Sequence, residues 1–476
     1  MKRKFILTAA MAGVFSTLAA QTATAPAAPT AAPAADSATA ADNNPAPARP
    51  ARPARGAPGP QPIGGIQAIS TTSSYKFFFG TGDAPAGYTK VSSDMAYNDT
   101  RGYGFDGGTS ATIVSKQVAG QPDVNLATAD KQFYFSTALP EGNYKVTVTM
   151  GNPDVATDVS VKAESRRLML ENVQTKPGEY VTKTIIVNIR TPKYPGGVVN
   201  LKATRETQQE AWDWDNGLTL EFNGDHPSIS DLRIEKVDVP TVFVIGDSTS
   251  CDQSSEPYNS WGQTITRFFK PEVAVANHGE SGETVGDCLG RHRFDKIWSL
   301  MKPGDYLFVT SGHNERNGKN SDMTFDQRFY DDCKQVVDET RAHGGIPVLV
   351  TPISRAPGSA SLGPYPGELR QLATDEKVAF IDLNGPTAIL YKAMPDYHVA
   401  FASRNEATHT GNYGSYEVSK ILIAGIKQNN LPLAQSIVDD FKELDPAHPD
   451  AFDSYKVAPT PRKSAANAAA AVPDGR

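Results

Sequence analysis

Between residues 75 and 237 apolar and polar positions alternate in short runs, at 75–79, 132–136, 144–149, 183–189, 218–222 and 232–237. Runs of this length with a two-residue period read as strands with one buried face. Turn-forming clusters separate them, among them Pro140-Glu141-Gly142-Asn143, Lys176-Pro177-Gly178 and Asn223-Gly224-Asp225. The pattern predicts an all-β sandwich. From Thr241 the texture changes: β-rich apolar runs at 241–245, 273–276, 306–310, 346–350 and 378–381 alternate with helical stretches. Such alternation predicts a parallel sheet with helices on both faces. One helix is expected over 325–342, where Phe325, Phe329, Cys333, Val336 and Val337 recur at helical spacing and place Cys333 in the core. No internal repeat is visible.

Ahead of the folded body the chain reads differently. Lys2, Arg3 and Lys4 precede an apolar run over 5–18, and Ala19 and Ala20 follow. This is the order of a secretory signal, with cleavage expected between Ala19 and Ala25. The run is too short to span a bilayer comfortably, and no other stretch approaches about 20 apolar residues, so no membrane span is expected. The first cysteine is Cys251, so no thiol near the signal can carry a lipid anchor. Between Gln21 and Gly64, 16 of 44 residues are Ala and 10 are Pro, a composition that cannot bury a core and reads as an extended tether. The expected organisation is a signal at 1–20, a linker at 21–70, a β-sandwich at 71–238, an α/β domain at 239–445 and a tail at 446–476. Chain from about Pro459, with its Ala run at 465–471, reads as low-complexity. The expected location is secreted or periplasmic.

The whole chain of 476 residues carries a net charge of −7. Residues 1–64 hold six Lys/Arg and two Asp, so the remainder is at −11, which argues against a nucleic-acid partner held by net charge. Three cysteines exclude a disulfide scaffold. Cys251 and Cys288 each follow a motif segment, and sequence leaves open whether they meet. The eight histidines contain no His-Glu-x-x-His pattern and the cysteines lack zinc spacing, so no metal and no cofactor is expected.

Ligands of parallel α/β sheets gather beyond the carboxyl ends of the strands. After the first run stands Gly246-Asp247-Ser248-Thr249, after the second Asn277-His278-Gly279-Glu280-Ser281-Gly282-Glu283-Thr284, and after the third Gly312-His313-Asn314-Glu315. Near the end comes Glu406-Ala407-Thr408-His409, then Gly411-Asn412-Tyr413-Gly414. A serine attacks an ester only when a base takes its proton and donors stabilise the oxyanion. These loops hold the parts: Ser248 as hydroxyl, His409 as base, Glu406 as its carboxylate, and Ser248 N–H, Gly282 N–H and the Asn314 amide as oxyanion donors. Each signal alone is ordinary turn or cap chemistry. Their joint order at successive strand ends is what points to catalysis.

These residues resemble the four blocks of the SGNH, or GDSL-type, hydrolases, and more closely the bacterial rhamnogalacturonan acetylesterases among them. Supporting the finer likeness are Trp261-Gly262-Gln263, Gly282-Glu283-Thr284, Lys302-Pro303-Gly304-Asp305-Tyr306 and Asn412-Tyr413-Gly414, over about residues 241–441. Upstream, Phe79-Gly80-Thr81-Gly82, Gly87-Tyr88 and Arg101-Gly102-Tyr103-Gly104-Phe105 resemble the galactose-binding-like sandwiches that precede some such esterases. The likeness implies a flavodoxin-like SGNH fold, a carbohydrate acetylesterase working through an acetyl-serine, and an acetylated plant cell-wall polysaccharide or oligosaccharide as substrate. It implies no nucleic-acid, membrane or protein partner.

Two positions depart from the family pattern, which usually has Asp where Glu406 stands and Gly-x-Asn-Asp where this chain has Gly312-His313-Asn314-Glu315. Glu serves as triad carboxylate elsewhere, provided its loop absorbs the extra methylene. Competing readings are another esterase or lipase of the same fold and a non-catalytic carbohydrate-binding protein. An α/β-hydrolase is disfavoured because Ser250 stands where its Gly-x-Ser-x-Gly elbow needs glycine. Trp212, Trp214, Tyr88 and Tyr103 are aromatic candidates for stacking on sugar rings or for core packing.

Overall fold

The computed structural model describes residues 64–117, 123–315 and 325–461. The expected export signal, most of the Ala/Pro tether and the Ala run at 465–471 lie outside the described residues.

Two mainly antiparallel sheets face each other in the first half. One runs Val181–Ile189, Gly142–Met150, Ser228–Val237, Ser74–Phe78 and Thr89–Lys90, with Val124–Thr128 also on Ser228–Val237 and Thr112–Lys116 at its edge. The other runs Tyr103–Asp106, Phe133–Ala138, Gly217–Asp225, Thr157–Ala163 and Arg167–Thr175. Alternation explains the layering: in Gly142–Met150, Tyr144, Val146, Val148 and Met150 point inward between less buried neighbours. They meet Phe77, Phe105, Phe133, Phe135, Leu220 and Phe222 in one core. Eight strands of the described first half, Thr89–Lys90, Tyr103–Asp106, Thr112–Lys116, Val124–Thr128, Thr157–Ala163, Arg167–Thr175, Lys193–Tyr194 and Gly197–Val198, are additional to the runs read from sequence.

The second half is a five-stranded parallel sheet of Thr241–Ile245, Ala274–Asn277, Tyr306–Thr310, Ile346–Val350 and Ala379–Ile381. In space the order is second, first, third, fourth, fifth. Alternate residues of each strand feed two cores. Phe243, Ile245, Leu307, Val309 and Leu349 pack with Phe294, Ile297, Phe329, Cys333 and Leu369. Val242, Val244, Phe308, Val348 and Val350 pack on the other side with Trp261, Ile265, Leu390, Val418 and Leu422. The helix expected from Phe325 begins at Gln327, because Asp326 caps it by accepting the N–H of Phe329 at 3.2 Å. Phe325 is therefore off the buried face and 43% exposed, while Cys333 is in the core as expected.

Strand order in this sheet reverses beside the first strand, so the loops after the first and third strands, paired through Ile245 and Val309, flank the crevice at its carboxyl edge. Near the end of the described chain Ala458 and Thr460 return to the sandwich, where Lys162 Nζ donates to Ala458 O at 2.8 Å and to Thr460 Oγ1 at 2.9 Å.

Candidate active site

The first strand ends in a tight turn in which Ser250 N–H and Cys251 N–H both donate to Asp247 O, at 3.0 and 2.9 Å. Asp247 Oδ1 accepts the N–H and hydroxyl of Thr249. The turn lifts Ser248 off the sheet edge, and Gln253 Nε2 holds its carbonyl at 2.7 Å.

His409 comes from the far end of the chain, just before the helix Asn412–Gln428. Its segment is tied down by the bridge between Phe401 and Thr410 and by Ala402 N–H donating to His409 O. Its Nε2 lies 2.8 Å from Ser248 Oγ. Its Nδ1 lies 3.2 Å from Glu406 Oε2. The other carboxylate oxygen of Glu406 accepts the N–H groups of Ala407, Thr408 and His409 at 2.9, 2.9 and 3.3 Å, so the longer side chain folds back over its own turn. Burial pushes the Glu406 carboxyl upward, but the His409 ring and these N–H groups outweigh it and hold the carboxyl at about 2. Because the folded value is depressed, Glu406 stabilises the fold above the ordinary carboxylate range, and that contribution is lost as pH falls toward 2.

Gly282 has φ +72, which glycine adopts without steric cost. The N–H groups of Ser248 and Gly282 have no acceptor among the described residues. Two residues further on, Thr284 Oγ1 accepts Asp287 N–H and opens the helix Val285–Gly290. Asn314 Nδ2 donates to Glu283 O at 3.1 Å, which joins the loop after the third strand to the loop of Gly282 and leaves the second amide hydrogen for another acceptor. Glu315 Oε1 accepts Val285 N–H at 3.0 Å and the Ser311 hydroxyl. Burial pushes its carboxyl up to about 7. Glu315 thus braces the same two loops.

Ser248, His409 and Glu406 are brought into one chain of contacts, with Gly282 and Asn314 on two adjoining loops. Tyr258 and Gln253 are additions that no motif announced: the Tyr258 ring meets the His409 ring edge-on at 5.7 Å, and Gln253 holds Ser248. Two other carboxylates near strand termini, Asp305 and Asp382, do not reach His409: they are bonded to Thr241 and Lys302 and to Thr351 and Arg370 respectively. Cys251, Cys288 and Cys333 are all free and buried. Cys251 packs on the Ser281 hydroxyl, whereas Cys288 faces the core of Phe294 and Ile297. Trp214 is buried among Arg190, Arg293 and His278, so its faces are taken. Tyr103 packs on Phe77 and Trp212 on Tyr134. Among the described residues no group of three His, Cys, Asp or Glu side chains is arranged to hold a metal ion.

A doubly wound sheet that brings a hydroxyl, an imidazole and a carboxylate together at its carboxyl edge has the parts of a hydrolase acting through an activated serine. Residues 244–409 match the model of the GDSL-like Lipase/Acylhydrolase family, and residues 75–179 match that of the Beta-agarase/YXIM esterase-like, galactose-binding domain-like family. Over 221 residues the chain is 30% identical to the rhamnogalacturonan acetylesterase RhgT of Bacillus subtilis (strain 168), covering 41% of this chain and 94% of RhgT. Over 391 residues it is 26% identical to the uncharacterized esterase YxiM of the same strain, covering 77% of this chain and 95% of YxiM. The chain belongs to the GDSL-like lipase/acylhydrolase family, with a galactose-binding-like β domain ahead of its hydrolase domain. It is a carboxylic ester hydrolase.

Proposed function

We propose that this esterase acts on carbohydrate, removing O-acetyl groups from a pectic polysaccharide through an acetyl-serine on Ser248. The observation that carries the chemistry is the contact of Ser248 Oγ with His409 Nε2 at 2.8 Å, backed by Glu406. His409 takes the Ser248 proton as Oγ bonds to the acetyl carbon, then gives it to the sugar oxygen as the ester C–O bond breaks. Water repeats the cycle and releases acetate. Ser248 N–H, Gly282 N–H and the free hydrogen of Asn314 Nδ2 hold the oxyanion in both halves. The run of Lys2, Arg3, Lys4 and the apolar stretch at 5–18 supports action outside the cytoplasm, in the periplasm or beyond the cell.

The oxyanion role of Asn314 carries a kinetic signature. Asn314→Ala is expected to lower kcat roughly 10²- to 10³-fold with little change in KM, since the lost donor matters most when charge develops. Were Asn314 only a brace on Glu283 O, the variant would instead lose melting temperature and keep near-normal turnover.

The pectic substrate is supported by the name of RhgT and by a cation beside the site that has no ion-pair partner among the described residues. Arg355 Nη2 donates to His313 O at 3.4 Å, and the next residue, Ala356, donates to Ala407 O at 2.8 Å. Arg355 Nε has no acceptor among the described residues, and no described carboxylate forms an ion pair with the guanidinium. A part-buried guanidinium without a counter-ion among the described residues, between the loops of Asn314 and His409, suits the carboxylate of a uronic acid. Acetate release is therefore expected to be faster from acetylated galacturonate-rich oligosaccharides than from acetylated xylo-oligosaccharides or long-chain p-nitrophenyl esters. Arg355→Gln is expected to cut kcat/KM on the acidic substrate about tenfold or more and leave the neutral ones unchanged. Preference for xylan, or for long acyl chains, would overturn the pectic reading in favour of another esterase of this fold.

A further inference from the structure

The hairpin of Thr157–Ala163 and Arg167–Thr175 turns at its tip through Glu164, Ser165 and Arg166, and that tip reaches out of the sandwich into the hydrolase domain. Arg166 has φ +68, a conformation a side-chain-bearing residue holds only where its surroundings enforce it. Its guanidinium meets four acceptors of the hydrolase domain. Nη1 donates to Gln253 O at 3.2 Å and Tyr258 O at 2.7 Å, and Nη2 to Asn412 Oδ1 at 3.2 Å, with Glu256 Oε1 at 2.7 Å. Arg167 beside it bonds Asp252 through Nε at 2.8 Å. Gln263 completes the joint by donating to Ser165 O and, at 3.0 Å, to Gln253 O. The helix bearing it comes so close that a Cβ on Gly262 would lie 1.9 Å from Ser250 O, which accounts for the glycine in Trp261-Gly262-Gln263.

All four acceptors of Arg166 bear on the reacting groups. Gln253 holds the Ser248 carbonyl, and Tyr258 packs its ring against His409. Asn259 and Thr410 exchange bonds at 2.9 Å between the loop and the His409 segment, and Asn412 begins the helix that follows. Glu256 accepts from Asn412 Nδ2 as well. A planar five-donor fork spans such a set, which a lysine ammonium cannot.

Building on the assignment of Ser248 and His409, we propose that the β-sandwich is a working part of the catalytic site and that Arg166 is a positioning residue, setting the 253–258 loop that registers the serine against the histidine. A module that served only to anchor polysaccharide would affect KM on polymer alone. Here turnover of a small ester must depend on it.

The test uses the full chain and p-nitrophenyl acetate, with Ser248→Ala establishing that wild-type turnover is serine-dependent, so a failure of the underlying assignment is seen separately. Arg166→Ala and Arg166→Lys are each expected to lower kcat about 10- to 100-fold, the scale of a misplacement of about 1 Å, with KM within about twofold of wild type. Added guanidinium at non-denaturing concentration is expected to restore part of kcat in Arg166→Ala and none in Ser248→Ala. Unchanged small-ester kcat in folded Arg166→Lys would overturn the proposal, as would a loss confined to KM on polysaccharide. So would a fall in melting temperature with a kcat loss that guanidinium does not restore in Arg166→Ala.

Discussion

Replacing Ser248 by alanine is expected to lower acetate release about 10⁶-fold, to the residual rate that oxyanion donors and binding supply without a nucleophile. The change removes one oxygen. That oxygen's hydrogen-bond partner in the structure is His409 Nε2, so stability is expected to move by no more than about 1 kcal/mol. Steady-state acetate release and a melting curve on the same preparation check both halves. A folded alanine variant that still releases acetate would sink the nucleophile assignment, and with it the acetyl-serine.

His409→Ala is expected to be as severe, about 10⁶-fold, because without the base the Ser248 hydroxyl stays protonated at the moment of attack. Glu406→Gln is expected to be graded, losing roughly 10⁴-fold and remaining measurable. The reason is in the division of labour between its two oxygens. Oε1 is committed to three N–H groups of its own turn, and Oε2 faces His409 Nδ1 at 3.2 Å. The amide keeps much of the turn but offers no full negative charge to the imidazolium. A Glu406→Gln variant with wild-type turnover would mean that another group holds the ring. The described structure brings neither Asp305 nor Asp382 to that place, since both are bonded elsewhere. Measuring the three variants side by side orders the roles of nucleophile, base and carboxylate by size of loss.

The parallel sheet was legible in the chain because its strands are buried on both faces. Thr241–Ile245, Tyr306–Thr310 and Ile346–Val350 are continuous apolar runs, and the structure returns them with the bounds the pattern predicted. The candidate site was legible for a related reason: in this topology the polar and glycine residues that follow such runs converge on one edge. Ser248, Gly282, Asn314, Glu406 and His409 are each named by position relative to a strand or helix, which is local information.

The sandwich was only half legible. In Arg167–Thr175 the first three residues, Arg167, Leu168 and Met169, are all buried, so the alternation that marks a one-faced strand is broken. Met169 faces the sandwich core, while Leu168 and Arg167 are also covered by the hydrolase domain, through contacts such as Thr266 Oγ1 to Leu168 O at 2.6 Å and Arg167 Nε to Asp252 at 2.8 Å. A charged residue is buried only where a partner compensates it, and the partners here are distant in sequence: Glu256 for Arg166, Asp252 and Asp213 for Arg167, Glu206 for Arg293. The chain alone thus determined two domains, a doubly wound sheet and the candidate chemistry, because periodicity and strand-end motifs act over a few residues. The tertiary structure alone decided the distance of the Ser248 hydroxyl from the His409 ring and the fold-back of Glu406. It also decided the reach of Arg166 into the loop of Tyr258, because these depend on long-range pairings that desolvate charges in concert and that no local pattern encodes.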